Sequence, residues 1–95
     1  MYLVWSVYAL DDRIAIFDYI ENDNPLAAVR VDTRIENEVE RLIKFPEMGR
    51  PGRIRGTREL VITRTPYIVA YTVAHDSVTI LRILHGARQW PESAS

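Results

Sequence analysis

The sequence predicts an α+β domain: a short N-terminal strand and a two-helix antiparallel hairpin packed on an antiparallel sheet that ends in a three-stranded meander. Three observations carry this expectation. Apolar residues recur at helical spacing in two segments before Pro46. Val, Ile, Thr and Tyr dominate three short runs from Glu59 onward. A glycine- and arginine-rich link with neither period joins the two halves. With 95 residues there is room for a single core, so one domain over 1–95 is expected, with about 89–95 a tail that can fray.

The elements follow in order. Tyr2 to Trp5 is a run of aromatic and branched residues suited to a strand. From about Ala9 the period changes: Leu10, Ile14, Phe17 and Ile20 recur at helical spacing while Asp11, Asp12, Arg13, Asp18 and Glu21 take the other faces, giving an amphipathic helix over 9–21. Asn24-Pro25 then starts a second helix, since asparagine accepts from first-turn amides and proline at the first position forfeits no hydrogen bond. Its stripe is Ala28, Val31, Ile35, Val39 and Leu42, and Pro46 ends it near Lys44. Glu59 to Thr63, Tyr67 to Val73 and Val78 to Leu84 read as strands divided by the turn-forming Arg64-Thr65-Pro66 and Ala74-His75-Asp76-Ser77. The last strand places Val78, Ile80, Arg82 and Leu84 on one face and Thr79, Leu81, Ile83 and His85 on the other. Both faces are largely apolar, so a central position is expected.

Composition narrows the class. At 47% hydrophobic and 26% charged residues the chain falls outside the disordered range. It has no cysteine, which excludes disulfides and thiolate metal sites. The first residues lack a basic leader and no apolar stretch is long enough to span a bilayer, so a cytoplasmic protein without a membrane partner is expected. The net charge of -1 conceals an asymmetry: residues 1–48 carry a net -5 and residues 49–95 a net +4. Lys44 is the only lysine, and the arginines favour bidentate contacts to carboxylate or phosphate; an arginine-biased composition is the competing explanation. They concentrate in the link from Phe45 to Arg64, which holds Arg50, Arg53, Arg55, Arg58 and Arg64 against Glu47 and Glu59.

The chemistry available is limited. His75 and His85 lie on a turn and at a strand end with no ligand partner at metal spacing, and the glycines of the link match neither a P-loop nor a dinucleotide fingerprint, so no metal or cofactor is expected. Arginines with Tyr67, Tyr71 and His85 could support phosphoryl transfer in RNA, with arginine stabilising the developing phosphate charge and histidine or tyrosine moving a proton. The alternative for the tyrosines is a structural place on one face of a strand, half-buried with each hydroxyl at the rim.

Several segments together resemble one family. They are Asp18 to Ala28 (DYIENDNPLAA), Phe45 to Gly52 (FPEMGRPG), Gly56 to Leu60 (GTREL), Pro66 to Tyr71 (PYIVAY) and Ile80 to Pro91 (ILRILHGARQWP). In order and coverage they are similar to the RelE/ParE superfamily of bacterial toxins. The resemblance implies a RelE/ParE-like fold and a type II toxin–antitoxin module: a toxin that arrests bacterial growth, a cognate antitoxin that neutralises it, and contact with DNA only indirectly through the antitoxin. Two targets follow from the superfamily. RelE-like members cut mRNA on the ribosome and ParE-like members poison DNA gyrase without being nucleases. RelE-like sites carry an arginine just after the aromatic residue that opens the third strand; here Tyr67 is followed by Ile68 and the assisting lysines are absent, with Arg53, Arg58 and Arg64 the candidates to substitute for them. The resemblance therefore favours the gyrase target, with no enzymatic activity. Under the endoribonuclease alternative, with ribosome and mRNA as partners, the catalytic candidates are Arg58, Arg64, Tyr71 and His85. An inactive antitoxin-binding relative is a further alternative. Arg50, Arg53, Arg55, Arg88 and Trp90 are the candidates for contact with target or antitoxin, and an apolar groove between the helix pair and the sheet is the candidate receptor for an antitoxin helix.

Overall fold

The computed structural model describes residues 1–86. The first strand, β1 (Tyr2–Trp5), leads directly into α1 (Val7–Glu21) through Ser6. The Ser6 Oγ accepts from the Ala9 N–H at 3.0 Å, as an N-cap does, and donates to the Leu81 carbonyl at 2.8 Å. This cap carries Val7 and Tyr8 into the first turn, so the helix starts earlier than its apolar spacing predicts.

The rotation of α1 also differs from the expected stripe. Leu10 and Ile14 are 43% and 60% exposed, whereas Ala9 is fully buried and Ile16 and Ile20 pack against the core. A polar clamp accounts for this. Asp12 Oδ2 accepts from the Arg82 Nε at 2.7 Å and from the Ile83 N–H at 2.9 Å, and Oδ1 accepts from Arg82 Nη2 at 2.9 Å. Charge-assisted bonds of this kind are worth more than the modest difference between two apolar faces of one helix. The Arg82 guanidinium is held protonated more strongly than usual by the Asp12 hydrogen bond.

The second helix, α2 (Pro25–Glu40), starts as the sequence predicts, with Asn24 Oδ1 accepting from the Ala27 N–H at 3.1 Å and Pro25 in the first turn. A single 3₁₀ turn, Arg41–Ile43, extends it. Ala28, Ile35, Val39 and Leu42 are buried and Val31 is half-buried, matching the expected stripe. Arg13 ties the hairpin together: its Nε lies 2.6 Å from Asp32 Oδ1, its Nη2 2.8 Å from Glu36 Oε2, and its guanidinium stacks 5.1 Å over Trp5.

The sheet comprises β1, β2 (Arg50–Pro51), β3 (Arg58–Val61), β4 (Tyr67–Val73) and β5 (Ser77–His85), in the order β1-β5-β4-β3-β2. The antiparallel meander of β3, β4 and β5 is present, and β5 is interior as expected. Two features add to it. β1 joins parallel to β5, which makes the sheet mixed, and the two-residue β2 forms the far edge. The alternation read along β5 fails after Ile80. Tyr71 pairs with Ile80 but Ala70 pairs with Arg82, so Leu81 is an extra residue in a bulge. Beyond it Ile83, opposite Val69, takes the core face, and Arg82 is released to meet Asp12. Among the described residues no helix is long and apolar enough to cross a membrane.

The clamp generates a stability test. Asp12→Ala removes three charge-assisted hydrogen bonds and strands Arg82, so unfolding free energy in a denaturant titration is expected to fall by about 2–3 kcal/mol. An unchanged midpoint would show that α1 is seated by its apolar contacts alone.

Candidate functional site

The link from the helices to the sheet runs over 44–49; the N–H groups of Lys44, Phe45 and Met48 bond to backbone carbonyls, while the Gly49 N–H and the Pro46, Glu47 and Gly49 carbonyls have other partners. Two side chains from adjacent strands supply them. Tyr71 donates its hydroxyl to the Pro46 carbonyl at 2.8 Å and accepts from the Gly49 N–H at 2.8 Å. Arg58, opposite Tyr71 in the β3–β4 register, donates from Nη1 to the Gly49 carbonyl at 2.8 Å and to the Glu47 carbonyl at 3.3 Å. Gly49 has to be glycine, because a Cβ there would lie 2.6 Å from the Tyr71 hydroxyl and 2.9 Å from the Glu59 carbonyl. Tyr71 is 0% exposed, in place of the half-buried position expected with its hydroxyl at the rim, and burial pushes its phenol pKa above 10.0, partly offset by the Gly49 bond and the Arg58 charge.

The arginine loop that follows is organised by Glu59. This carboxylate is 2% exposed; it accepts from the Arg53 N–H at 2.9 Å and lies 3.3 Å from Arg53 Nε and 3.4 Å from Arg50 Nη2. Arg53 also reaches the Gly86 carbonyl at 3.4 Å. The loop closes on itself through Gly52 N–H to Thr57 carbonyl at 2.8 Å and Thr57 Oγ1 to Ile54 carbonyl at 2.6 Å, with Gly56 at φ +86 providing the reversal. Arg55 stands exposed at its tip and, among the described residues, meets no acid.

The predicted catalytic residues do not converge. Arg58 and Tyr71 are neighbours, both bonded to the link. His85 is exposed at the other end of β4 and β5, edge-on to Tyr67 with ring centroids 6.0 Å apart. Tyr67 and Tyr71 are four residues apart, so the two ends are separated by about 13 Å. Arg64 lies in the exposed β3–β4 turn at φ 62, on the His85 side. Of the predicted contact residues, Arg50 and Arg53 are engaged with Glu59, Arg55 meets no acid among the described residues, and Arg88 and Trp90 lie outside them.

A groove of about 470 Å³ runs between α1 and this end of the sheet, lined by Asp12, Ala15, Ile16, Tyr19, Pro66, Tyr67, Ile83 and His85. Tyr19 is 77% exposed at its rim, while Leu42 is in the core and Leu10 faces solvent. Sequence reasoning missed the anchoring roles of Asp12 and Glu59. It also passed over Arg30, Arg34 and Arg41, whose four- and seven-residue intervals signal a single row.

Comparison with known proteins agrees with this architecture. A family model described as the ParE toxin of the type II toxin-antitoxin system parDE matches residues 3–90. The chain is 47% identical over 88 residues to the Y4kP protein of Sinorhizobium fredii, covering 93% of this chain and 91% of the relative. It is 43% identical over 86 residues to toxin RelE2 of Caulobacter vibrioides, covering 90% and 96%. A solved chain of a chromosomal ParDE TA system from P. aeruginosa matches with a TM-score of 0.82 at 30% identity, covering 90% of this chain and 95% of that one.

The Tyr71 geometry sets a pH dependence. Its pKa is raised above 10.0 in the fold, so its contribution to stability is complete below pH 10 and is lost as the pH rises through the folded pKa. Tyr71→Phe is expected to destabilise the chain by about 1–3 kcal/mol at neutral pH. The difference between the two proteins should narrow above pH 10 when unfolding is followed across alkaline pH. A difference that stays constant would contradict the buried, neutral phenol.

Proposed function

Because the chain belongs to the family of ParE toxins of type II toxin–antitoxin systems, we propose that it arrests growth by binding DNA gyrase and holding it on cleaved DNA, without nuclease chemistry of its own. One observation carries this reading. The hydroxyl of Tyr71, the tyrosine among the catalytic candidates, is fully buried with both of its bonds made to the backbone of the link. A general acid or base must reach the proton it moves, and a phenol in this position does not. Arg58 is likewise engaged with carbonyl oxygens, and His85 stands about 13 Å away along the strands. The replacement of a charged residue by Ile68 after Tyr67 points the same way: Ile68 is buried and offers nothing to a phosphate.

A binding toxin requires a presented surface instead. The loop over 50–57 supplies one, held from below by Glu59 and displaying Arg55. Preorganisation of this kind lowers the ordering cost of association. The second partner is the cognate antitoxin, and the groove between α1 and the sheet, with its Tyr19 rim and apolar floor, fits an amphipathic segment of it.

The purified chain is expected to trap gyrase on cleaved DNA and to leave mRNA intact on translating ribosomes. Arg55→Ala should weaken gyrase inhibition about tenfold, in line with loss of one interface anchor, without moving the thermal midpoint. Cleavage of mRNA in the ribosomal A site that disappears in His85→Ala would contradict the proposal.

A further inference from the structure

One face of α2 and of the turn that extends it carries a row of arginines that form no ion pair among the described residues. Arg30, Arg34 and Arg41 are four and seven residues apart, which on a helix of about 3.6 residues per turn brings them within about 40° of one line. Together with Val29, Thr33, Asn37, Glu38 and Thr63 they line a groove of about 510 Å³, in which Glu38 is the one carboxylate. Among the described residues none of the three arginines has an ion-pair partner, and Arg30 Nε reaches only the Leu26 carbonyl, at 3.5 Å.

The carboxylates of the same helix are turned to other tasks. Asp32 and Glu36 hold Arg13, and Glu38 accepts from the Thr63 N–H at 3.1 Å and from its hydroxyl at 3.0 Å. Glu40 is exposed and stands about 100° round the helix from Arg41. Like charges one turn apart oppose helix formation, and an anion laid along the row would relieve that repulsion.

The chemistry of the row selects the partner. Arginine guanidinium, threonine hydroxyl and asparagine amide are the donors that meet phosphate oxygens. A protein partner would need aromatic or apolar anchors at the centre of its contact, and Val29, at one end, is the only large apolar side chain lining this groove. The row is about 16 Å long, and its three guanidiniums can each meet one phosphate of a DNA strand. We infer that this face of α2 is a contact for the phosphate backbone of duplex DNA. Through it the toxin would grip the DNA held by gyrase, in addition to any contact made through an antitoxin. The inference rests on the gyrase reading for its setting, but the contact itself is measurable without gyrase.

The test is a titration of the purified full-length chain against a fluorescent duplex over a salt series. Each phosphate contact contributes about 0.9 to the slope of log K against log salt. The combined variant Arg30→Ala, Arg34→Ala, Arg41→Ala is therefore expected to flatten the slope by roughly 2.7. Lysine at all three positions should retain most of the slope, because it keeps the charge; a loss caused by misfolding would not be rescued in this way. An alanine variant with unchanged affinity and slope would overturn the inference. So would a chain that binds polyglutamate through the row and fails to bind duplex, since that result assigns the face to an acidic protein. The gyrase assay on the same proteins separates the two readings. Row-dependent duplex binding without gyrase inhibition keeps this inference and removes the gyrase reading; gyrase inhibition unaffected by the alanine variant, without row-dependent binding, does the reverse.

Discussion

The hydroxyl of Tyr71 sits where the helical half of the molecule becomes the sheet, and the placement of everything after residue 45 depends on it. A chain leaving a helix and crossing a core edge carries backbone groups that need partners, and each buried one left unpaired costs about 1–3 kcal/mol. Tyr71 pairs two of them, on Pro46 and Gly49, and Arg58 takes the carbonyls of Glu47 and Gly49. The two side chains are cross-strand neighbours, so the pairing that builds β3 on β4 also delivers both donors to the link. This is a structural use of residues that in another setting could do acid–base and phosphate chemistry.

The arginines divide according to the same logic. Arg13 and Arg82 fasten α1 to α2 and to β5, and Arg50 and Arg53 neutralise the buried Glu59. A carboxylate that is 2% exposed is tolerable only with partners of this kind. Among the described residues, what remains outward is Arg55 on the loop tip, Arg64 in the β3–β4 turn and the row on α2, positive features on different elements. The molecule thus offers charged surfaces for recognition, and its apolar groove beside α1 is a surface of different character. That distribution suits a protein that works by holding other macromolecules.

Much of the fold was legible in the sequence. The Asn24-Pro25 start, the Ala28-Ile35-Val39-Leu42 stripe and the meander all followed from local spacing and turn chemistry, because those elements obey their own periodicity. Three features did not follow. The rotation of α1 is decided by Asp12 meeting a strand some seventy residues away, a pairing that no local window contains. The bulge at Leu81 reverses the faces of β5 without a glycine or proline to announce it. The parallel partner of β1 comes from topology alone. The link between helices and sheet, with its concentration of arginines, was visible in composition, but which of its arginines are engaged depends on the burial of Glu59, and that is a property of the packed sheet.

The central claim is that the Tyr71 hydroxyl is permanently bonded within the fold. Its direct reporter is the amide of Gly49, which donates to that oxygen. In native-state hydrogen exchange this amide should be protected nearly as well as the core amides of β4, opening only when the whole domain does. Exchange at the rate of an exposed loop amide, while β4 stays protected, would mean that the hydroxyl is available to chemistry and would contradict the account.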